Sequence, residues 1–401
     1  MEQLFHTSQA GQICLGRRIG GGGEGKVYEI HGSDDLVAKI YHEPPPVEKA
    51  EKLVALARLG TERLFRLSAW PVDVLRDKPG GQVTGFVMKK IGGAEEVHTL
   101  HSPRSRLQKF PEASWAFLIY VAANIARAVS VIHEYGFVIG DINPKNILVT
   151  RKATVCLLDC DSFQVSVGGR KFRCEGGFPE YTPPELQGLA FREVDRTQAH
   201  DCFGLAVVVF QLLFMGRHPF SGRYCGAGEM PLERAISESR FAWGADAASR
   251  QMQPPPGALA LDAVPDSISG LFRRAFLSTD RPEPRAWIEP LEVLAKALKK
   301  CDLHSGHHYY QALAARGARS KRAPASVCSI SPSRSRGRTT GTSGSMKSGR
   351  RLKASRFPLH PCFRKTTRSP ISDLLKRPPR WRGKGATAFS SRSFFQLRLA
   401  S

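Results

Sequence analysis

Phe137 to Phe163 reads FVIGDINPKNILVTRKATVCLLDCDSF, and this stretch decides the fold. Asp141 and Asn146 stand five positions apart, and Asn146 and Asp159 thirteen. Between them lie two short apolar runs, Ile147-Leu148-Val149 and Val155-Cys156-Leu157-Leu158, joined by the turn at 150–154. Each run has the length and bounding of a short buried strand. A hairpin built this way sets Asn146 just before its first strand and Asp159 just after its second, side by side. An acid and an amide at one mouth, with no His nearby, are hard oxygen donors that suit a hydrated Mg²⁺ and phosphate oxygens.

The residues around this stretch extend the pattern. Gly20-x-Gly22-x-x-Gly25-x-Val27 lies between apolar segments, and Lys26 to Ile30 alternates as a strand rather than a helix, which excludes a Rossmann turn. Glycine there lets backbone approach phosphates. Leu36 to Ile40 is a strand carrying one cation, Lys39. Val47 to Leu59 reads as a helix with a stripe at Ala50, Leu53, Val54 and Ala57. Trp70 to Val74 and Gln82 to Met88 read as two more strands, and residues 92–111 as loop. Ala113 to Tyr135 is a strong amphipathic helix stopped by Gly136. Gln164 to Cys174, with its Gly168-Gly169 pair, is a hairpin signature. Leu205 to Phe214 is apolar almost all round and reads as a buried central helix opened by Asp201.

In this order the motifs resemble the protein kinase superfamily across residues 12–300. Asp141-x-x-x-x-Asn146 is similar to its catalytic loop, although Ile139-Gly140 replaces the family's His-Arg. The resemblance implies an α+β, bilobal fold: a small antiparallel N-lobe with one helix at 12–90, and a mainly helical C-lobe at 91–300. It implies ATP and Mg²⁺ as cofactors and a protein Ser/Thr substrate. Asp141 then orients and deprotonates the acceptor hydroxyl, and Asn146 and Asp159 hold Mg²⁺. Asp159 is favoured because it ends the apolar strand, but Asp161-Ser162-Phe163 imitates the same triplet, so Asp161 stands as a second metal candidate. Lys39 and the backbone of Gly20, Gly22, Gly25 and Val27 fix the phosphates, and Met88 lies at the adenine-binding hinge. Glu51 is the expected helix partner of Lys39, with Glu48 and Glu62 as alternatives. Asn143 occupies the place where Ser/Thr kinases carry a Lys, and Lys145 is its candidate substitute. Asp201 is expected to accept from the catalytic-loop backbone, and Arg281 to pair with Glu185. Gly140 removes the arginine that receives an activation-loop phosphate, which implies activity independent of phosphorylation at Ser162 or Ser166. A small-molecule phosphotransferase of the same fold and a nucleotide-binding pseudokinase scaffold are the alternative readings.

Composition bounds the rest. Of 59 Lys and Arg, 22 fall in residues 315–401 against a single acid, Asp373. The remaining 37 basic and 35 acidic residues leave the first 314 positions near neutral, so the +23 net charge belongs to the tail. That tail is expected to be disordered, with a charge suited to non-specific binding of nucleic acid or anionic lipid. Nine Cys, none spaced as Cys-x-x-Cys, argue for free thiols in a reducing compartment. With no signal-peptide pattern, and with Leu205 to Phe210 as the longest strongly apolar run, the expectation is a soluble cytoplasmic protein without a membrane span. Residues 301–314 hold Cys301, His304, His307 and His308, half of a possible Zn²⁺ set. A one-nucleotide slip across Ala315 to Arg319 can read Cys-Pro-Trp-Cys-Glu and complete that set. A frameshifted tail is therefore a hypothesis that resequencing of the gene decides.

Overall fold

The computed structural model describes residues 4–8, 11–300 and 308–310. Six strands close a small antiparallel barrel: β1 (Leu4–Thr7), β2 (Gln12–Gly21), β3 (Gly25–Ile30), β4 (Ser33–Tyr41), β5 (Asp73–Arg76) and β6 (Val83–Lys89). Their order is β1-β2-β3-β4-β6-β5, with β1 returning to pair with β5. Alternation drives this layer: Ile13, Leu15, Ile30, Leu36, Ala38, Leu75 and Val87 fill its interior. Strand β1 was not expected. Phe5 is its only fully buried residue, too short a signal to read from sequence.

Two helices, not the expected one, separate β4 from β5. They are α1 (Val47–Leu59) and α2 (Glu62–Leu67), the latter capped by the Thr61 hydroxyl, which accepts from Leu64 N. Trp70 then ties this layer to the rest. Its indole N–H donates to Leu56 O at 2.8 Å, and its ring stacks on Phe137 at 5.3 Å and meets Phe163 edge-on.

The second layer is mainly helical. Residues 92–111, expected as loop, hold β7 (Ala94–Glu96), a 3-10 turn burying Val97 and Leu100, and α3 (Pro103–Lys109). Pairing explains the difference: β7 adds to the central hairpin, β8 (Ile147–Thr150) and β9 (Val155–Leu157), with Glu96 opposite Leu148. The activation segment opens with β10 (Val165–Val167) and β11 (Arg170–Phe172), turned through Gly168 and Gly169, both at positive φ, as the hairpin signature required. Helices α4 (Trp115–Glu134), α5 (Gln198–Leu213), α6 (Leu232–Ser237), α7 (Asp266–Leu277) and α8 (Pro284–Ala297) form the body. Every residue of α5 from Asp201 onward is buried, and Phe210 sits among Phe214, Trp243, Phe272 and Phe276. Helix α4, rather than the Leu205 run, is long and apolar enough to cross a membrane by length and composition. Here most of it is buried in the C-lobe core. Cys301, His304, His307 and the tail from 315 lie outside the described residues. His308 pairs opposite Lys300 in a short two-stranded ladder.

Candidate active site

The central hairpin sets the floor of the site. Leu158 N bonds to Asn146 O at 2.8 Å, which puts the start of β8 beside the exit of β9 and brings Asn146 next to Asp159. Asn146 Nδ2 donates to Asp141 Oδ2 at 3.0 Å. Asn143, where a Lys was the family expectation, braces the loop instead. It is 1% exposed, its Oδ1 accepts from the backbone N–H of Lys145 and Asn146, and its Nδ2 donates to Asp141 O. Asp201 does what its place predicted, accepting from Ile139 N at 2.7 Å and Gly140 N at 2.8 Å. Asp141 Oδ1 is buried without a hydrogen-bond partner. Burial is the main cause that raises the Asp141 carboxyl above its ordinary range, with Asp159's charge adding to it. Lys145 is exposed, its ammonium 5.8 Å from the Phe178 ring centre.

The roof comes from the barrel. Gly25 is needed because β4 passes close: a Cβ there would meet Ile40 O at 2.4 Å. Gly20 pairs opposite Val27, and Val27 opposite Lys39, so the glycine turn closes β2 onto β3 in the same sheet as the lysine strand, one strand away from it. Met88 lies within β6 opposite Val37 and packs in the cluster with Leu53 and Phe86. Met88 is thus the next-to-last residue of this strand: the chain leaves the sheet after Lys89, and Lys90 N bonds to Asp35 O.

Lys39 joins roof and floor. Its ammonium donates to Asp159 Oδ1 at 3.1 Å and to Asp161 Oδ1 and Oδ2 at 3.0 and 2.9 Å. Burial works against that cation, but Asp161 and then Asp159 outweigh it and hold its pKa above the lysine range. Asp161 also accepts from Tyr41 Oη at 2.6 Å and is 1% exposed. Desolvation opposes the Asp161 charge, yet Lys39 and the Tyr41 hydroxyl keep its pKa low. Its oxygens already accept from Lys39 and Tyr41, so of the two metal candidates Asp161 is the more engaged, although its acidic oxygens cluster with those of Asp159 and Glu24. Asp159 is the open one, with a third of its side chain exposed and only Oδ1 engaged. Burial, then the Asp161 charge beside it, raises the Asp159 pKa.

The helix partner is also corrected. Glu51 faces outward and pairs with Arg170, Glu48 is exposed, and Glu62 pairs with Arg66 and Lys89. The inward stripe of α1 runs through Lys49, Lys52, Leu53 and Leu56, so helix α1 turns lysines rather than an acid toward the site. Lys52 donates to Ser162 O at 2.9 Å and Arg173 O at 3.0 Å, pinning the helix to the metal turn and the activation segment. Asp161 takes over the anchoring of Lys39. Sequence reasoning missed Glu24, Tyr41, Lys49, Lys52 and Arg196. Arg196, 4% exposed, lies against Gly140 and donates to Gly176 O at 2.6 Å. The residue types of Glu24, Lys49, Lys52 and Arg196 gave no signal, since lysine, arginine and glutamate read as solvent groups.

Farther out, Arg281 holds Glu185 through two hydrogen bonds of 2.6 and 2.8 Å, as expected. A barrel lysine bonded to acids of the metal turn, above an Asp–Asn pair on a buried loop, defines a phosphoryl-transfer site of the kinase type. The protein kinase domain model matches residues 14–234, and the chain belongs to the protein kinase family, with the bilobal fold that family implies. It is 42% identical over 310 residues to the protein kinase YegI of Escherichia coli (strain K12), spanning 76% of this chain and 48% of that protein. It is also 27% identical over 257 residues to a probable SapB synthase of Streptomyces coelicolor, across 60% of this chain and 25% of that one. Over 125 residues it is 33% identical to the serine/threonine-protein kinase chk-2 of Caenorhabditis elegans, covering 30% and 25% of the two chains. The chain spans about half the length of the YegI relatives it matches.

Proposed function

We propose that this chain is a MgATP-dependent protein kinase acting on Ser or Thr. The observation that carries it is Lys39 bonded to Asp159 at 3.1 Å, beside an Asp141–Asn146 pair joined at 3.0 Å. The donor set fits a hard cation: Asp159 has a free oxygen, and Asn146 is placed beside it by the hairpin. When bound, Mg²⁺ neutralises phosphate charge. Asn146 and Asp159 hold it, and Lys39 and the glycine-turn backbone orient the phosphate chain. Asp141 Oδ1, buried and unpartnered, is the acceptor for the substrate hydroxyl's proton, and Lys145, exposed on the same loop, is the candidate cation for the incoming group. Most of the rate then comes from positioning and charge neutralisation. The names of chk-2 and YegI support transfer to protein, and the free thiols at Cys14, Cys156, Cys160, Cys174, Cys202 and Cys225 support a reducing compartment such as the cytoplasm.

The full chain incubated with γ-labelled ATP should label casein, and Asp159→Ala should abolish it. Labelling of an aminoglycoside instead of casein would favour the small-molecule reading. No transfer by wild type, with nucleotide still bound, would favour the scaffold. Recovery of the protein in a membrane or secreted fraction would remove the cytoplasmic placement.

A further inference from the structure

The glycine turn carries an acid that the kinase reading does not use. Glu24 reaches down from the turn between β2 and β3, and its carboxylate takes the Lys49 ammonium at 2.7 and 2.8 Å. The same carboxylate lies 3.7 Å from Lys39. It therefore bridges two cations, one from the barrel and one from α1, directly above Asp159 and Asp161, with acidic oxygens of all three within 4.8 Å of one another.

We propose that Lys49 is a second cation for the phosphate chain of the nucleotide, and that Glu24 holds its place between the two lysines until nucleotide displaces it. This inference rests on the ATP reading above.

Lys39 and Lys49 face three carboxylates here, and of these Glu24 is the one that takes up the Lys49 ammonium a phosphate oxygen would otherwise reach. Asp161 cannot leave, since it is 1% exposed and fixed by Tyr41 and Lys39. Asp159 belongs to the rigid exit of the hairpin. Glu24 is the free mover: its side chain is 55% exposed, and a Cβ added at Gly22 or Gly23 beside it would meet nothing within 4 Å. Once Glu24 swings out, Lys49 keeps only the Asp161 carboxylate, 3.9 Å away and already bonded to Lys39 and Tyr41, while Glu51 of its own helix is held by Arg170. The Lys49 ammonium stays in place over the Tyr41 ring, 4.9 Å from its centre, aimed at the position the carboxylate vacated. A phosphate oxygen matches a carboxylate oxygen in charge and in acceptor geometry. Glu24 is thereby an internal competitor for the phosphate chain, and it scales apparent affinity by the fraction of time the turn is open.

The test is titration of the full chain with N-methylanthraniloyl derivatives of ATP, ADP and AMP, each with and without Mg²⁺. Wild type is compared with Glu24→Ala, Lys49→Met and Lys49→Arg, and circular dichroism confirms that each is folded. Loss of one charge-assisted contact predicts that Lys49→Met weakens ATP and ADP about tenfold while AMP changes less than about twofold. Lys49→Arg, which keeps the charge, restores most of the loss. Glu24→Ala tightens ATP and ADP about threefold or more, with and without Mg²⁺, since the competitor is gone. Unchanged ATP affinity in Lys49→Met overturns the proposal. So does a Glu24→Ala variant that binds ATP more weakly only when Mg²⁺ is present, because Glu24 is then a metal ligand. If wild type binds all three nucleotides but transfers no phosphate, only the kinase reading fails. If it binds none, both fail.

Discussion

Asp159→Asn and Asp161→Asn separate two acids that sequence spacing leaves interchangeable. Asp161 is buried and accepts three hydrogen bonds, two from Lys39 and one from Tyr41. An asparagine there removes a charge and turns an N–H₂ toward donors. Removing one partner of a buried pair costs roughly 3–5 kcal/mol, and Lys39 keeps Asp159, so a loss of about 2–3 kcal/mol is expected. In a urea titration, with a slope of about 3 kcal/mol per molar, the midpoint falls by about 0.7–1 M. Asp159 is one-third exposed and its charge is disfavoured by burial and by Asp161, so Asp159→Asn changes stability by less than about 0.5 kcal/mol while abolishing transfer. The pH dependence has a definite sign. The fold lowers the Asp161 pKa, so its contribution is full above the ordinary carboxylate value and is lost as pH falls through the lowered one. Wild type and Asp161→Asn should therefore converge in acid. A wild-type midpoint for Asp161→Asn, or equal destabilisation by both variants, would refute the division of labour.

Other outcomes follow from the same geometry. Asp141→Asn should lower kcat by about 10²–10⁴ with little change in KM for ATP. In wild type the acid limb of kcat against pH should lie above the ordinary carboxylate range, because Asp141 must be ionised and burial raises its pKa; a limb at or below that range sinks the assignment. Arg281→Leu removes a cation that is 3% exposed, but Glu185 can rehydrate, so about 2–3 kcal/mol is expected. That corresponds to about 3–5 °C in Tm for a domain of about 300 residues, and a shift under a degree would contradict it. Glu51→Ala should leave KM for ATP within about twofold, since its pair with Arg170 is a surface one; a tenfold rise would restore Glu51 as the lysine's partner.

The sequence made the floor of the site legible because hairpin spacing fixes it locally. The thirteen positions from Asn146 to Asp159 hold two strands and a turn, and little else fits. Asp201 was legible as a charge opening a wholly apolar helix, whereas Arg281 was legible only through the resemblance of residues 281–287 to the family's last helix entry. The inward face of α1 was not legible. Its lysines look like solvent groups by type; what turns Lys52 inward is two backbone carbonyls, at Ser162 and Arg173, more than a hundred positions away, and Lys49 follows a carboxylate on the glycine turn, Glu24. The same blindness hid Asp161. Position alone made it a rival metal ligand, whereas Tyr41 and Lys39, brought over it by barrel closure, make it an anchor. Residues 92–111 failed for want of periodicity: a three-residue strand has none to show, and it exists only because β8 offers an edge.

Gly140 restricts what can replace it. It sits at φ +78°, and a Cβ there would lie 2.6 Å from the Cys174 Cβ. One codon change to arginine at this place would drive a side chain into Cys174 and crowd Arg196, whose stem already lies 3.4 Å away. A chain built this way accepts an arginine at 140 only if positions 174 and 196 change with it, so that substitution is closed to any single step.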